Sequence, residues 1–485
     1  MAYILDHENK PYLKYFEDIA AIPHGSYNEE AISNYIVEFA KEHGLWHMQD
    51  SANNVLIKKP AAPGYETHEP IILQGHMDMV CEKVAGSSHD FKKDPLQLYV
   101  EDGWLKARGT TLGGDDGVAV AYILAILADE ELKHPALECV INTGEEAGVL
   151  GTQAFDVSTL SAKKFIGLDG CTEGTSTILT SGVIGGSFTK NIHLKKSTKV
   201  SALKLKIGGL NAGHAAGNIG KEQANAIKSL GRILYYIDRE YDIDIIRLKG
   251  GSYRNAIAEE CEAVIGIDEN DEGGIERIFN KYAVLEKQLH KNTDTHMYLT
   301  LEKAPASSEA MADETKKALL RFIYMMPSGT LMRSVVYDWL PIASCNMGTV
   351  ELKEAGERKY IEIEYLFRCV NTTHLEDVYN SGLLIGELNG FTFELQSKYS
   401  GYEIEPGSDF YNLYAEVYKD LSGKELEFET VHYGTDAGTY AERIPGLDII
   451  VLSPILVDVH TPEERLNLAS FDRAYQYLKE ILRRS

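Results

Sequence analysis

The chain has 485 residues, 44% of them hydrophobic and 25% charged, with 48 Lys and Arg against 73 Asp and Glu and a formal net charge of −25. Such a length exceeds one ordinary core and predicts two or three domains. The acidic balance argues against nucleic acid, whose phosphates demand a basic surface. No stretch reaches the roughly 18 uninterrupted apolar residues of a membrane span. The opening MAYILDHENKPYLKYFEDIA lacks the basic and apolar regions of a secretory signal. Cys81, Cys139, Cys171, Cys261, Cys345 and Cys369 form no CxxC pair. They read as reduced thiols of a cytoplasmic protein, with neither a disulfide frame nor a zinc–thiolate site.

In chain order, residues 11–44 are amphipathic and predict helix. PIILQGHMD is a short apolar run bounded by turn residues, as expected of a buried strand, and DGVAVAYILAILADEEL predicts a long apolar helix opening just after two aspartates. ALECVINTG is a second buried strand followed by the polar turn EEAG, and KKFIGLDG repeats the design. From about Ser187 to Leu395 the character changes to partly alternating strands (KVSALKLKIG, GTVELKE, KYIEIEYLFRCV) interleaved with helical runs such as KEQANAIKSLGRILYYIDREY. The α/β pattern then resumes with LDIIVLSPILVDVH and a closing amphipathic helix, SFDRAYQYLKEILRRS. The expectation is an α/β domain (1–186 and 396–485) split by an inserted domain (187–395). IGGLNAGH and FRCVNTTH share a strand-then-polar-turn pattern compatible with internal duplication.

The acid and histidine clusters fall where apolar strands end, the place at which open α/β sheets collect ligands. His76 and Asp78 stand at i, i+2, a spacing that puts both side chains on one face of a strand. With Asp115 in GGDDG, Glu145 and Glu146 in TGEEAG, Asp169 in GLDG and His460 in DVHTPEE, the set resembles a two-metal hydrolase site. Histidine and carboxylate without cysteine suit zinc, manganese or cobalt. Two adjacent metals need a bridging carboxylate, further ligands for each, and a base for the shared water. His76, Asp115, Glu146, Asp169 and His460 are the candidate ligands, leaving Glu145 and Asp78 for proton transfer and ligand orientation. Plainer roles compete: Asp115 suits a helix N-cap, although Asp116 is the better cap, and GLDG suits an ordinary turn.

GHMDMV, RGTTLGGDDG, TGEEAG and VDVHTPEE together resemble the M20 family of dinuclear metallopeptidases, in particular its cytosolic non-specific or Xaa-His dipeptidase branch. The resemblance implies a mixed-sheet α/β/α zinc-peptidase catalytic domain with an inserted α+β, ferredoxin-like lid. It places His76 and Asp169 on one metal and Glu146 and His460 on the other, with Asp115 bridging. Asp78 would hold the second nitrogen of His76, and Glu145 would act as general base. Relatives often carry Asn where this chain has Asp116, so one negative charge is added. In the lid, His214 within GGLNAGHAAGNIG is the implied oxyanion donor and Asn255 its companion polar contact. Arg368 would clamp a substrate carboxylate, although Phe-Arg-Cys departs from the usual Ile-Arg-Ser. Gly434 to Gly438 would line the pocket.

The implied cofactors are two divalent ions, zinc first, with manganese or cobalt also fitting. The implied reaction is hydrolysis of Xaa-His-type and other dipeptides bearing a free C-terminus, by attack of a bridging metal-bound hydroxide. A homodimer is compatible with this, since members often pair through the lid. Two other classes share the features: an N-acyl-amino-acid amidohydrolase of the same superfamily, and a non-catalytic metal-dependent binding protein.

Overall fold

The computed structural model describes residues 3–337, 339–356, 358–404 and 407–485, which form two compact units. The first comprises Met1–Thr180, Gly401–Thr430 and Thr435–Ser485; the second comprises Ser181–Ser400 together with Val431–Gly434.

The first unit is built on a six-stranded sheet of β1 (Trp46–Gln49), β2 (Val55–Lys59), β3 (Ile71–His76), β4 (Leu137–Asn142), β5 (Lys164–Gly167) and β6 (Asp448–Val451), in the spatial order β1-β2-β4-β3-β5-β6. β4, β3, β5 and β6 run parallel, whereas β1–β2 and β2–β4 are antiparallel. Every residue of β3 and β4 is buried, as largely apolar strands in a covered sheet should be. The amphipathic stretch at 11–44 forms two helices, α1 (Pro11–Ala20) and α2 (Glu30–Glu42). Pro23 and the positive-φ Tyr27 lie in the turn that separates them. α3 (Gly114–Ala128) is buried along almost its whole length. Gly75 is what lets β3 lie against it, because a Cβ there would stand 2.2 Å from Ala119 Cβ and 2.6 Å from Asp116 Oδ2. Two further helices, α4 (Asp436–Arg443) and α5 (Leu468–Arg484), complete the elements used below.

A small antiparallel sheet joins Leu98–Glu101, Trp104–Ala107, Arg465–Asn467 and Leu456–Val457. Its register sets Arg465 opposite Lys106 and Asn467 opposite Trp104. The segment carrying His460 is thereby tied to the chain that leads into Asp115.

The second unit contains one nine-stranded antiparallel sheet with helices, an α+β arrangement. Its order is 298–304, 201–208, 261–267, 244–250, 341–355, 358–369, 182–191, 392–399, with 329–333 pairing on 341–355. In chain order, 201–208, helix 226–240, 244–250, 261–267, helix 272–289 and 298–304 make a βαββαβ unit with ferredoxin-like order 4-1-3-2. The strands 182–191, 341–355, 358–369 and 392–399, with helices 313–325 and 372–388, repeat that topology. The first copy is thus inserted between the opening strand and the first helix of the second, and the two meet where Gly250 pairs with Val350. IGG ends the first strand of one copy and FRC the third strand of the other, so the repetition lies in the six-element unit and not in those two short segments.

Candidate metal centre

The C-terminal ends of the parallel strands converge. His76 closes β3, Glu145 and Glu146 follow β4, Asp169 follows β5, and the chain leaving β6 reaches His460. Asp115 enters from the irregular start of α3, where Asp115 and Asp116 have non-helical backbone angles. Its Oδ1 lies 3.2 Å from His76 Nε2 and its Oδ2 lies 3.2 Å from His460 Nε2. His460 Nε2 is also 2.8 Å from Glu146 Oε1. One carboxylate therefore stands between two imidazoles with an oxygen facing each. Donor atoms of His76, Asp115 and Glu146 all lie within 4.8 Å of one another.

Asp78 does more than the i, i+2 pattern suggests. The hydrogen bond of His76 Nδ1 goes to the backbone carbonyl of Asp78 at 3.0 Å, with the carboxylate Oδ1 at 3.5 Å. That carboxylate accepts from Ser26 Oγ at 2.8 Å and from the backbone N–H groups of Glu145 and Glu146 at 3.0 and 3.3 Å. It thus fixes the Glu145–Glu146 turn while steadying the imidazole. Asp116 caps the regular part of α3, its Oδ1 accepting from Ala119 N–H at 3.3 Å, and its Oδ2 accepts from His76 N–H at 3.3 Å.

Two buried acids stand beside these that the motifs did not single out. Asp436, at the start of α4, accepts from Gln74 Nε2 at 2.8 Å and Thr152 Oγ1 at 2.6 Å. Gln74 precedes His76 by two residues on the same face of β3, and that spacing was the available signal. Glu464 accepts from consecutive backbone N–H groups of the loop that ends in Asp115. Nothing in local sequence announces a contact made wholly with backbone.

The electrostatics are those of a cluster of crowded, buried carboxylates. Burial and the neighbouring Asp115 push Asp169 up to about 7. Burial first, and then nearby carboxylates, raise Glu145 well above the usual range despite the opposing effect of His76. Burial and Asp115 likewise raise Glu146. His460 is shifted up to about 11, because hydrogen bonds to Asp115 and Glu146 outweigh burial. Two imidazoles among several crowded, buried carboxylates fit divalent cations bound through nitrogen and oxygen.

In the second unit, one sheet face gathers most of the residues expected to contact substrate. Across it, Ser344, Arg368, Val183 and Tyr399 form one cross-strand row, and Asn346, Leu366, Gly185 and Ser397 the next. Over the first row lies His432, with Ser181 Oγ 2.8 Å from Nδ1 and Ser344 Oγ 2.7 Å from Nε2, while its carbonyl accepts from Arg368 Nη1 at 3.5 Å. Gly434 packs on Tyr399; a Cβ there would come within 2.3 Å of that ring. Over the second row lies the segment Arg254–Ala256, held by Asn346 Nδ2 donating to the carbonyls of Arg254 and Ala256 at 2.9 and 2.8 Å. Asn255 is exposed there, and its neighbour Ala256 pairs with the equally exposed His214. Arg368 is 4% exposed, and its Nε, like that of Arg254, is buried without a hydrogen-bond partner among the described residues. Neither guanidinium forms an ion pair with a described carboxylate. Arg254 was not among the expected contacts.

A parallel-stranded α/β sheet with this donor set at its carboxyl ends, interrupted by an α+β insertion, defines a metal-dependent hydrolase. The chain belongs to peptidase family M20/M25/M40, whose model matches residues 72–484. It is 32% identical over 478 residues to the cytosol non-specific dipeptidase of Escherichia coli (strain K12), covering 98% of this chain and 97% of that one. Among solved structures, it superposes on the aminoacylhistidine dipeptidase from Vibrio alginolyticus with a TM-score of 0.84 and 28% identity, over 97% of this chain and 96% of that one. Human carnosine dipeptidase 1 shares the fold at a TM-score of 0.52 and 11% identity, over 98% and 97% of the two chains. No described helix is long and apolar enough to cross a membrane.

Proposed function

We propose that this chain is a cytoplasmic dinuclear metallodipeptidase that hydrolyses Xaa-His-type and other dipeptides with a free C-terminus. The observation that carries the reading is Asp115 standing between His76 and His460, 3.2 Å from each, with Glu146 against His460. His76 and Asp169 would hold one cation and Glu146 and His460 the other, with Asp115 shared. Divalent ions bound there supply Lewis acidity, polarising the substrate carbonyl and acidifying water. Zinc is the first choice for the ligand set, and manganese and cobalt suit it as well.

The remaining work falls to side chains. Glu145, whose carboxyl is raised by burial and by its acidic neighbours, takes a proton from the attacking water and delivers it to the leaving nitrogen. Asp78 holds the turn that carries Glu145 and keeps the His76 imidazole in place. In the insertion, read as the substrate-binding lid, Arg368 takes the terminal carboxylate, its Nε being without a partner among the described residues, and Arg254, in the segment over the neighbouring row, adds a second positive charge. His214 and Asn255 are the polar contacts for the scissile carbonyl, and Gly434 lines the same face. The cytosol non-specific dipeptidase and the aminoacylhistidine dipeptidase, the relatives of higher identity, support this substrate class.

The test is to strip the metal, restore zinc, manganese or cobalt separately, and follow β-Ala-His, Ala-His, Gly-Gly-Gly and N-acetyl-His. Metal-dependent cleavage of the dipeptides with little action on the other two is expected. Cleavage of the acetyl compound alone would move the protein to the acylase class. In parallel, Glu145→Ala should abolish turnover with metal content near wild type; an active variant would remove Glu145 from the base role.

A further inference from the structure

Glu464 follows His460 by one turn of chain and is 3% exposed. Its Oε2 accepts from the backbone N–H groups of Leu112 and Gly113 at 2.9 and 3.3 Å, and its Oε1 from those of Gly114 and Asp115 at 2.8 and 3.4 Å. Successive amides turned toward one point form an anion-binding concavity, and here the anion is a side chain of the protein itself. No lysine or arginine among the described residues pairs with this carboxylate. The loop it grips is irregular, with Gly113 at φ +67° and non-helical angles at Asp115 and Asp116, so its own hydrogen-bond ladder does not fix it. Asp115 is the last residue of that loop and the carboxylate that faces both histidines. The small sheet delivers Glu464 to this place, since Arg465, its neighbour, pairs with Lys106 upstream of the loop.

We propose that Glu464 is a positioning residue for the metal centre: by holding four consecutive amides it sets the two oxygens of Asp115, and with them the affinity for the paired cations. The proposal rests on the reading of Asp115 as a shared ligand. A turn that supplies His460 and also clamps the Asp115 loop couples two of the centre's components through one short segment.

The experiment compares wild type, Glu464→Gln and Glu464→Asp, with Asp115→Asn as control. Zinc stoichiometry and affinity are measured in zinc-buffered solution, and Tm with and without zinc. The glutamine variant loses the charge and the aspartate variant shortens the reach. Both are expected to bind zinc at least tenfold more weakly, the scale found when a group supporting a metal ligand is removed, and to show a smaller zinc-induced rise in Tm. A wild-type zinc affinity and an undiminished rise in Tm in both variants would reduce Glu464 to a structural cap and overturn the proposal. Hydrogen exchange on metal-free wild type keeps the test decisive if a variant does not fold: the amides of Leu112 to Asp115 should be protected before zinc is added. Free exchange there would show that the loop is not preset. Undiminished zinc binding by Asp115→Asn would instead defeat the ligand reading on which this proposal stands.

Discussion

At the scale of single residues, buried charge without a described counter-charge is the most informative feature. Arg368 is sealed into the second unit with an unpartnered Nε, and a guanidinium so placed is costly unless an anion arrives. Arg368→Lys replaces a rigid fork by a point charge, so KM for Ala-His should rise on the order of tenfold or more, the scale of a lost charge-assisted hydrogen bond, with a much smaller change in kcat. C-terminally amidated Ala-His should be cleaved equally poorly by wild type and variant. An unchanged KM for the free acid would remove the clamp. His432 gives a pH prediction. Burial, with the Arg368 charge beside it, lowers its pKa to about 3, against about 6.5 for an unfolded histidine. Its contribution to stability is therefore complete above pH 6.5 and is lost as pH falls toward 3, because only the unfolded chain takes up the proton in that window. For metal-free protein, Tm of His432→Gln should fall less steeply than that of wild type between those limits. Parallel curves would remove this account.

At the scale of elements, much of the metal centre was legible because most of its donors end or follow short, largely apolar strands. Such runs mark the middle of a parallel sheet, and the residue after each run must lie at the sheet's end. Contacts made through backbone were not legible. Asp78 reads as a histidine partner but spends its carboxylate largely on the amides of Glu145 and Glu146, and Glu464 touches its loop by amides alone. The hairpin of Leu98–Glu101 and Trp104–Ala107 was missed although Asp102–Gly103, both at positive φ, is a strong two-residue turn signal; its strands are too short and too exposed to show a core pattern. Packing of β3 on α3 can be tested directly. Gly75→Ala places a methyl against Ala119 and Asp116 and should cost about 1–3 kcal/mol, the usual penalty of overpacking, seen as a lower Tm in both metal-free and metal-loaded protein. A stable Gly75→Ala would mean that β3 can shift without consequence.

At the scale of the whole molecule, the first unit is assembled from three stretches of chain and the second from two. Pairing between distant stretches leaves no local trace, which is why the return of Val431–Gly434 to the insertion and the palindromic strand order were invisible in sequence. The nesting of one βαββαβ copy inside the other has a kinetic consequence. The inner copy is contiguous from 201 to 304, and its ends are clasped by a ribbon of Leu194–Lys196 on Glu309–Met311. The outer copy cannot form until strand 182–191, made early, finds 358–369 and 392–399 across the whole inner copy. Because non-local pairings are reached late, pulsed hydrogen exchange during refolding should protect 201–208 and 261–267 before 182–191 and 358–369, and simultaneous protection would argue for one concerted event. The inner copy would then act as a chaperone in cis, bringing its clasped ends together so that the interrupted outer sheet closes over a short gap.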